Sequence, residues 1–147
     1  MTAIAVLAMA WLTQASPTVA AASPAPSDSI DLRGSAVCLD RAGHRQACGT
    51  APRRFALEDR EGRLHPFLPA DELARIFEDP RVRERSLFVR ARETAAHALE
   101  IIKAFSVRDG KVYDLRYYCD VCHINAYVPG PCPCCGREME LLEEPLP

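Results

Sequence analysis

Along most of this chain apolar and polar residues alternate with a period of two, the spacing of half-buried strands, and helical spacing surfaces once. Ser35-Ala36-Val37-Cys38-Leu39-Asp40 is strand-like, and Arg41-Ala42-Gly43-His44 supplies a turn after it. Phe55 and Leu57, then Leu64 and Phe67, flank Asp59-Arg60-Glu61-Gly62-Arg63, which predicts a hairpin around a glycine turn. Pro69 then opens a helix over 70–78, in which Leu73, Ile76 and Phe77 fall on one face and the first turn is acidic. Asp79-Pro80 stops it, and the helix is expected to lie as a lid across a sheet. Leu87, Val89 and Ala91 alternate with Phe88, Arg90 and Arg92. In the next strand Leu99, Ile101, Phe105 and Val107 are expected on one side, broken by Lys103, with Ile102 and Ala104 on the other. Arg108-Asp109-Gly110-Lys111 predicts a two-residue hairpin turn, and Tyr113, Leu115, Tyr117 and Cys119 share one face of the strand that follows. Met139 and Leu141, alternating with Glu138 and Glu140, predict a final strand able to pair beside Tyr113 to Tyr118.

Five or six short strands with one helix between the third and fourth predict a mainly β fold. The expected architecture is a small OB-like β-barrel over 35–118, closed so as to hide its edges, with a β-sandwich as the other arrangement. A separate knuckle over 119–147 follows it. The chain of 147 residues is long enough for one core and an appendage, and too short for two large cores.

The amino terminus changes the picture of where such a domain would work. The first charged residue is Asp28; before it an apolar run from Ala3 to Leu12 leads into small residues through Ala20-Ala21-Ala22. About ten apolar residues ahead of an A-x-A type site read as a secretory signal peptide over 1–22, too short for a bilayer span of ~20 residues. No Lys or Arg stands between Met1 and the apolar run, so a different start or an uncleaved anchor are the other readings. A Pro/Ser-rich linker is expected over 23–34, and the protein is expected to be secreted or periplasmic with no stable membrane span. The net charge of -2 gives no electrostatic reason to expect nucleic acid, because Arg53-Arg54 and the Arg81, Arg83, Arg85 series are interleaved with acids or apolar residues.

Export changes what cysteine means. In an oxidising compartment thiols pair, and a local Cys38–Cys48 disulfide is expected to close its loop and add ~2–3 kcal/mol, ahead of two free buried thiols. His44, His65 and His97 sit singly in turns or near strand ends and read as structural or solvated.

Five of the seven cysteines are gathered at the carboxyl end. Cys119-x-x-Cys122, nine residues, then Cys132-x-x-Cys135 make two turns that can each present two sulfurs to one side, with Cys134 as an extra. Facing each other, they offer four thiolates to Zn²⁺, or to iron. A tail of this length cannot build a core alone, and structural zinc contributes ~10–16 kcal/mol of apparent binding energy to such peptides. Cys119-Asp120-Val121-Cys122-His123 is also a C-x-x-C-H sequence, the attachment signature of c-type haem, with His123 as axial ligand and Met139 as a candidate sixth. Pairing of these cysteines as disulfides alone is a further alternative. Thiol redox catalysis would need a helix N-terminus after the first pair, and none is expected there. Zinc catalysis would need an open coordination position, which four cysteines close, so no enzymatic role is expected. Cys134 and His123 could exchange in as ligands, bind soft Cu⁺, or simply pack.

At these residues the segment resembles known families. Tyr118-Cys119-x-x-Cys122, then Pro129-Gly130-x-Cys132-Pro133-x-Cys135-Gly136, is similar to zinc-ribbon and rubredoxin knuckles. It also resembles the heavy-metal-binding domain of periplasmic metal-efflux proteins, from which it departs in carrying Cys122 where His is common. The resemblance covers about twenty residues of the tail, and the rest of the chain is similar to uncharacterised exported bacterial proteins with such a tail after a β-domain. The resemblance implies an architecture and no established activity; the cysteines themselves leave zinc, iron, haem c or copper as the open identities, with an unidentified protein or small ion as partner.

Overall fold

The computed structural model describes residues 29–49 and 54–146, and in it the alternating segments become nine strands of one antiparallel sheet. In chain order they are β1 (Ser29–Leu39), β2 (Arg45–Gln46), β3 (Arg54–Asp59), β4 (Leu64–Pro66), β5 (Ser86–Glu93), β6 (Leu99–Arg108), β7 (Lys111–Cys119), β8 (Ile124–Ala126) and β9 (Glu140–Pro145). The path across the sheet is β4-β3-β1-β5-β6-β7-β8, with β2 also on β1 and β9 also on β7. The fold is mainly β, as the alternation predicts.

β1 sets the curvature. Its first half pairs with β5 through Ser29–Gly34 and its second with β3 through Gly34–Leu39, so the strand changes partner at Gly34. A Cβ there would stand 2.0 Å from the Glu58 carbonyl oxygen, a separation only glycine avoids. β1 starts at Ser29, so 29–34 is strand and not the Pro/Ser-rich linker expected over 23–34. The rest of that linker and the leader over 1–22 lie outside the described residues, as does Arg53.

The sheet stays open, which corrects the closed OB-like barrel. A single parallel bridge joins Phe67 to Leu99, with the Leu68 N–H donating to the Leu99 carbonyl at 2.9 Å. Pro66 and Pro69 flank that bridge without an N–H of their own, so no ladder propagates from it. The expected helix over 70–78 is also corrected. The chain forms a 3₁₀ helix at Leu73–Glu78, breaks at Asp79, and adds a four-residue helix α1 at Pro80–Arg83. Asp71 fixes the start, its carboxylate accepting from the Leu73 N–H at 2.9 Å and from the Ile101 N–H of β6 at 2.6 Å. The apolar face is the one expected: Ile76 and Phe77 are buried, and Phe77 stacks on Phe67 at 5.0 Å.

β6 departs from its expected facing. Lys103 pairs with Arg90 but Ile101 with Ala91, so Ile102 is an extra residue opposite that step. This bulge reverses the alternation: Leu99 and Ile101 are buried before it, Ala104 and Ser106 after it, and Phe105 and Val107 turn to the other face. The hairpins form as predicted, with Asp109 and Gly110 at φ 51° and 75° between β6 and β7. β9 pairs with β7 from Tyr113↔Pro145 to Tyr118↔Glu140. Cys38 and Cys48 are bonded.

One apolar cluster runs through the molecule. It contains Leu57, Phe77, Leu87 and Val89 together with Tyr117, Cys119, Cys132 and Met139. The cysteine segment therefore shares the core of the β-domain, and β7 runs unbroken across the expected boundary at residue 118.

Candidate metal centre

β7 ends on Cys119, and the chain turns at once into β8. The His123 N–H donates to the Cys119 carbonyl at 2.8 Å, and His123 takes φ 55°. The second pair repeats the turn before β9. There the Gly136 N–H donates to the Cys132 carbonyl at 2.8 Å, with Gly136 at φ 73°. The two C-x-x-C turns thus have the same closing hydrogen bond and the same left-handed fifth residue. That repetition turns both sulfur pairs to a common point.

All four predicted ligands meet there. The Sγ atoms of Cys119, Cys122, Cys132 and Cys135 lie within 4.8 Å of one another, and Cys119 and Cys135 are 3.6 Å apart. A tetrahedron with metal–sulfur bonds of ~2.3 Å has edges of ~3.8 Å, so the set fits one ion with small adjustments. Among the described residues these four cysteines form the one cluster able to hold a metal ion. Cys119 and Cys132 are buried, Cys122 is half-buried and Cys135 is exposed. None of the four is in a disulfide.

The electrostatics suit a cation. Backbone N–H groups of Cys135 and Cys134 point at the Cys132 sulfur and lower its thiol from the usual range to about 7. Cys122 is pushed upward, first by hydrogen bonding with the Cys134 thiol and then with Cys135. One thiolate forms readily and its neighbours resist a second negative charge, a conflict that a bound cation removes.

His123 does not reach this centre. It is exposed, and its Nδ1 lies 2.5 Å from the Tyr118 hydroxyl. The C-x-x-C-H sequence is therefore used as a turn, with His where the companion turn has Gly. A haem reading would use Cys119, Cys122 and His123 together; here the two sulfurs cluster with those of Cys132 and Cys135, while His123 lies against Tyr118. Met139, its candidate sixth ligand, is buried in the core. Cys134 is exposed and outside the set of four. The other histidines lie against carboxylates: His44 Nδ1 is 3.5 Å from Asp40, His65 Nε2 is 2.9 Å from Asp59, and His97 Nδ1 is 3.0 Å from Glu93.

A second group holds the end of β7 in place and was not singled out from the sequence. Tyr117, two residues before Cys119, donates its hydroxyl to Asp79 at 2.9 Å, and Arg81 grips the same carboxylate at 2.7 Å through Nη2. Burial works against the Asp79 charge, but the Arg81 side chain and backbone N–H, with the Tyr117 hydroxyl, outweigh it and lower its pKa. The same burial and bond raise the Tyr117 phenol. Asp before Pro-Arg is a legible helix cap; its phenol partner, far along the chain, is not. No protein-family model matches the chain, and neither a curated protein nor a solved structure does.

Proposed function

We propose that this is an exported, non-enzymatic β-protein whose carboxyl-terminal ribbon is organised by one structural Zn²⁺ on Cys119, Cys122, Cys132 and Cys135, and that it acts as a binding or interaction module. The observation that carries this reading is the convergence of four thiol sulfurs from two turns of identical hydrogen bonding. Four cysteines fill a tetrahedral shell, and a filled shell favours a structural role over a catalytic one. The strand order β8-β7-β9 around the cysteines supports the likeness to zinc-ribbon knuckles. Export is supported by the Cys38–Cys48 bond, since structural disulfides belong to oxidising compartments, and by the apolar leader pattern. The net charge of -2 and arginines paired with acids, such as Arg90 with Asp31, support a partner other than nucleic acid.

Elemental analysis of purified protein tests the reading. About one zinc per chain is expected, and Cys132→Ser is expected to release it. N–H groups aimed at sulfur serve iron as well as zinc, and a visible charge-transfer spectrum with about one iron per chain would move the assignment to iron. Protein that retains neither metal after expression with both available would defeat it.

A further inference from the structure

Resting on the reading of the four cysteines as a metal centre, we propose that Cys135 and Cys119 are a thiol-oxidation site for small disulfides such as oxidised glutathione, and that the bond they form stands in for the metal. Their sulfurs are already in hydrogen-bonding contact at 3.6 Å, close to the ~3–3.5 Å from which reacting atoms attack. The two differ in access, Cys135 being exposed and Cys119 buried. They also belong to different turns, Cys119 at the end of β7 and Cys135 in the turn before β9. A bond between them would join the same two elements that a shared ion joins.

Cys38 and Cys48 are bonded in the same chain, and a compartment that keeps that bond also oxidises unprotected thiols. A bound metal withholds the four clustered sulfurs from that chemistry. Without it the exposed Cys135 is the point of entry, its thiolate attacking one sulfur of oxidised glutathione and expelling one glutathione thiolate. The Cys119 thiolate then attacks the Cys135 sulfur and expels the second. Two cysteine thiols and one glutathione disulfide become one cystine and two glutathione thiols; the cysteine sulfurs lose two electrons, glutathione gains them, and the two thiol protons pass to glutathione. Cys122 and Cys132 are left as a pair, short of the four thiolates that close a zinc shell, so metal and bond exclude each other.

The test uses the full chain with the Cys38–Cys48 bond intact. Its zinc uptake is measured first; the metal is then stripped with a chelator under argon and the chain treated with oxidised glutathione. Chymotryptic cleavage after Tyr127 puts the two turns on separate peptides, and mass spectrometry without reduction reads the bonds. The peptides are expected to be joined through Cys119 and Cys135, and zinc uptake by the oxidised chain to fall from about one ion to none. Cys134→Ser is expected to form the same bond, which tells the two adjacent cysteines apart. Bonds confined within each turn, glutathione adducts that persist, a cross-link lost in Cys134→Ser, or an oxidised chain that still takes its zinc each overturn the oxidation site and leave the zinc reading standing. A reduced chain that takes no zinc removes the metal-centre reading itself, and the exchange with it.

Discussion

Two side chains show how much a single position carries. Tyr117 places a buried hydroxyl on the Asp79 carboxylate, so Tyr117→Phe removes one hydrogen bond to a charged group while Arg81 keeps that charge paired. Stability is expected to fall by about 1–2 kcal/mol in urea unfolding, with one metal still bound. His123 occupies a left-handed backbone position that glycine fills in the companion turn. His123→Gly relieves that strain and loses only an exposed contact to Tyr118. Stability is expected to be unchanged or up to ~1 kcal/mol higher, with metal stoichiometry intact; a metal lost with His123 would make it a ligand after all. Asp59 supplies the pH dependence. His65 first, then the Arg63 backbone and side chain, hold its carboxyl well below the usual 3.8. A depressed carboxyl contributes stability that is present above the unfolded value near 3.8 and is lost as pH falls through the folded one. The stability gap between wild type and Asp59→Asn should therefore shrink from about pH 6 to about pH 3, as read from urea midpoints, and a constant gap would count against the pairing.

At the scale of elements the informative positions are where a strand changes partner or register. Gly34→Ala would drive a methyl group into the Glu58 carbonyl at the crossing of β1, β3 and β5. A loss of ~3 kcal/mol or more is expected in denaturant unfolding, because backbone on both sides is hydrogen-bonded and cannot withdraw. The Asp109-Gly110 turn, the β3–β4 hairpin and the β9 pairing with β7 were legible in the sequence because each rests on local chemistry or on strict alternation. The bulge at Ile102 was not. Alternation read through Leu99, Ile101, Phe105 and Val107 looks continuous across Lys103, and the extra residue shows only in the pairing with Arg90 and Ala91. The short helices escaped for a related reason. The apolar spacing of Leu73, Ile76 and Phe77 fits α and 3₁₀ turns alike, and the long-range bond from Asp71 to Ile101, invisible in one dimension, pins the segment at its start. Both cysteine pairs were legible from spacing alone, since the C-x-x-C turn is local. The exclusion of His123 depended on its backbone angle and on Tyr118.

For the whole molecule, the question is whether the cysteine segment is an appendage or part of the fold. Its length and sequence suggest an independent knuckle, yet Cys119, Cys132 and Met139 sit in the same apolar cluster as Phe77, Leu87 and Val89, and β7 carries both the sheet and the first ligand. A metal that fixes the segment therefore also fixes one wall of the common core. Removing a metal held there would leave four crowded thiols at the end of β7, beside the pairing of β9 with β7 from Tyr113 to Tyr118. The loss should then spread inward through Tyr117 and Asp79 to α1 and the 3₁₀ helix. Chelation of the purified protein is accordingly expected to lower the thermal midpoint in one cooperative transition, and to reduce amide protection at Val89 and Ala91 of β5 as well as at Leu115 and Tyr117 of β7. If exchange instead accelerates only beyond Cys119 while β5 keeps its protection, the segment is a detachable knuckle and the shared core does not couple the two.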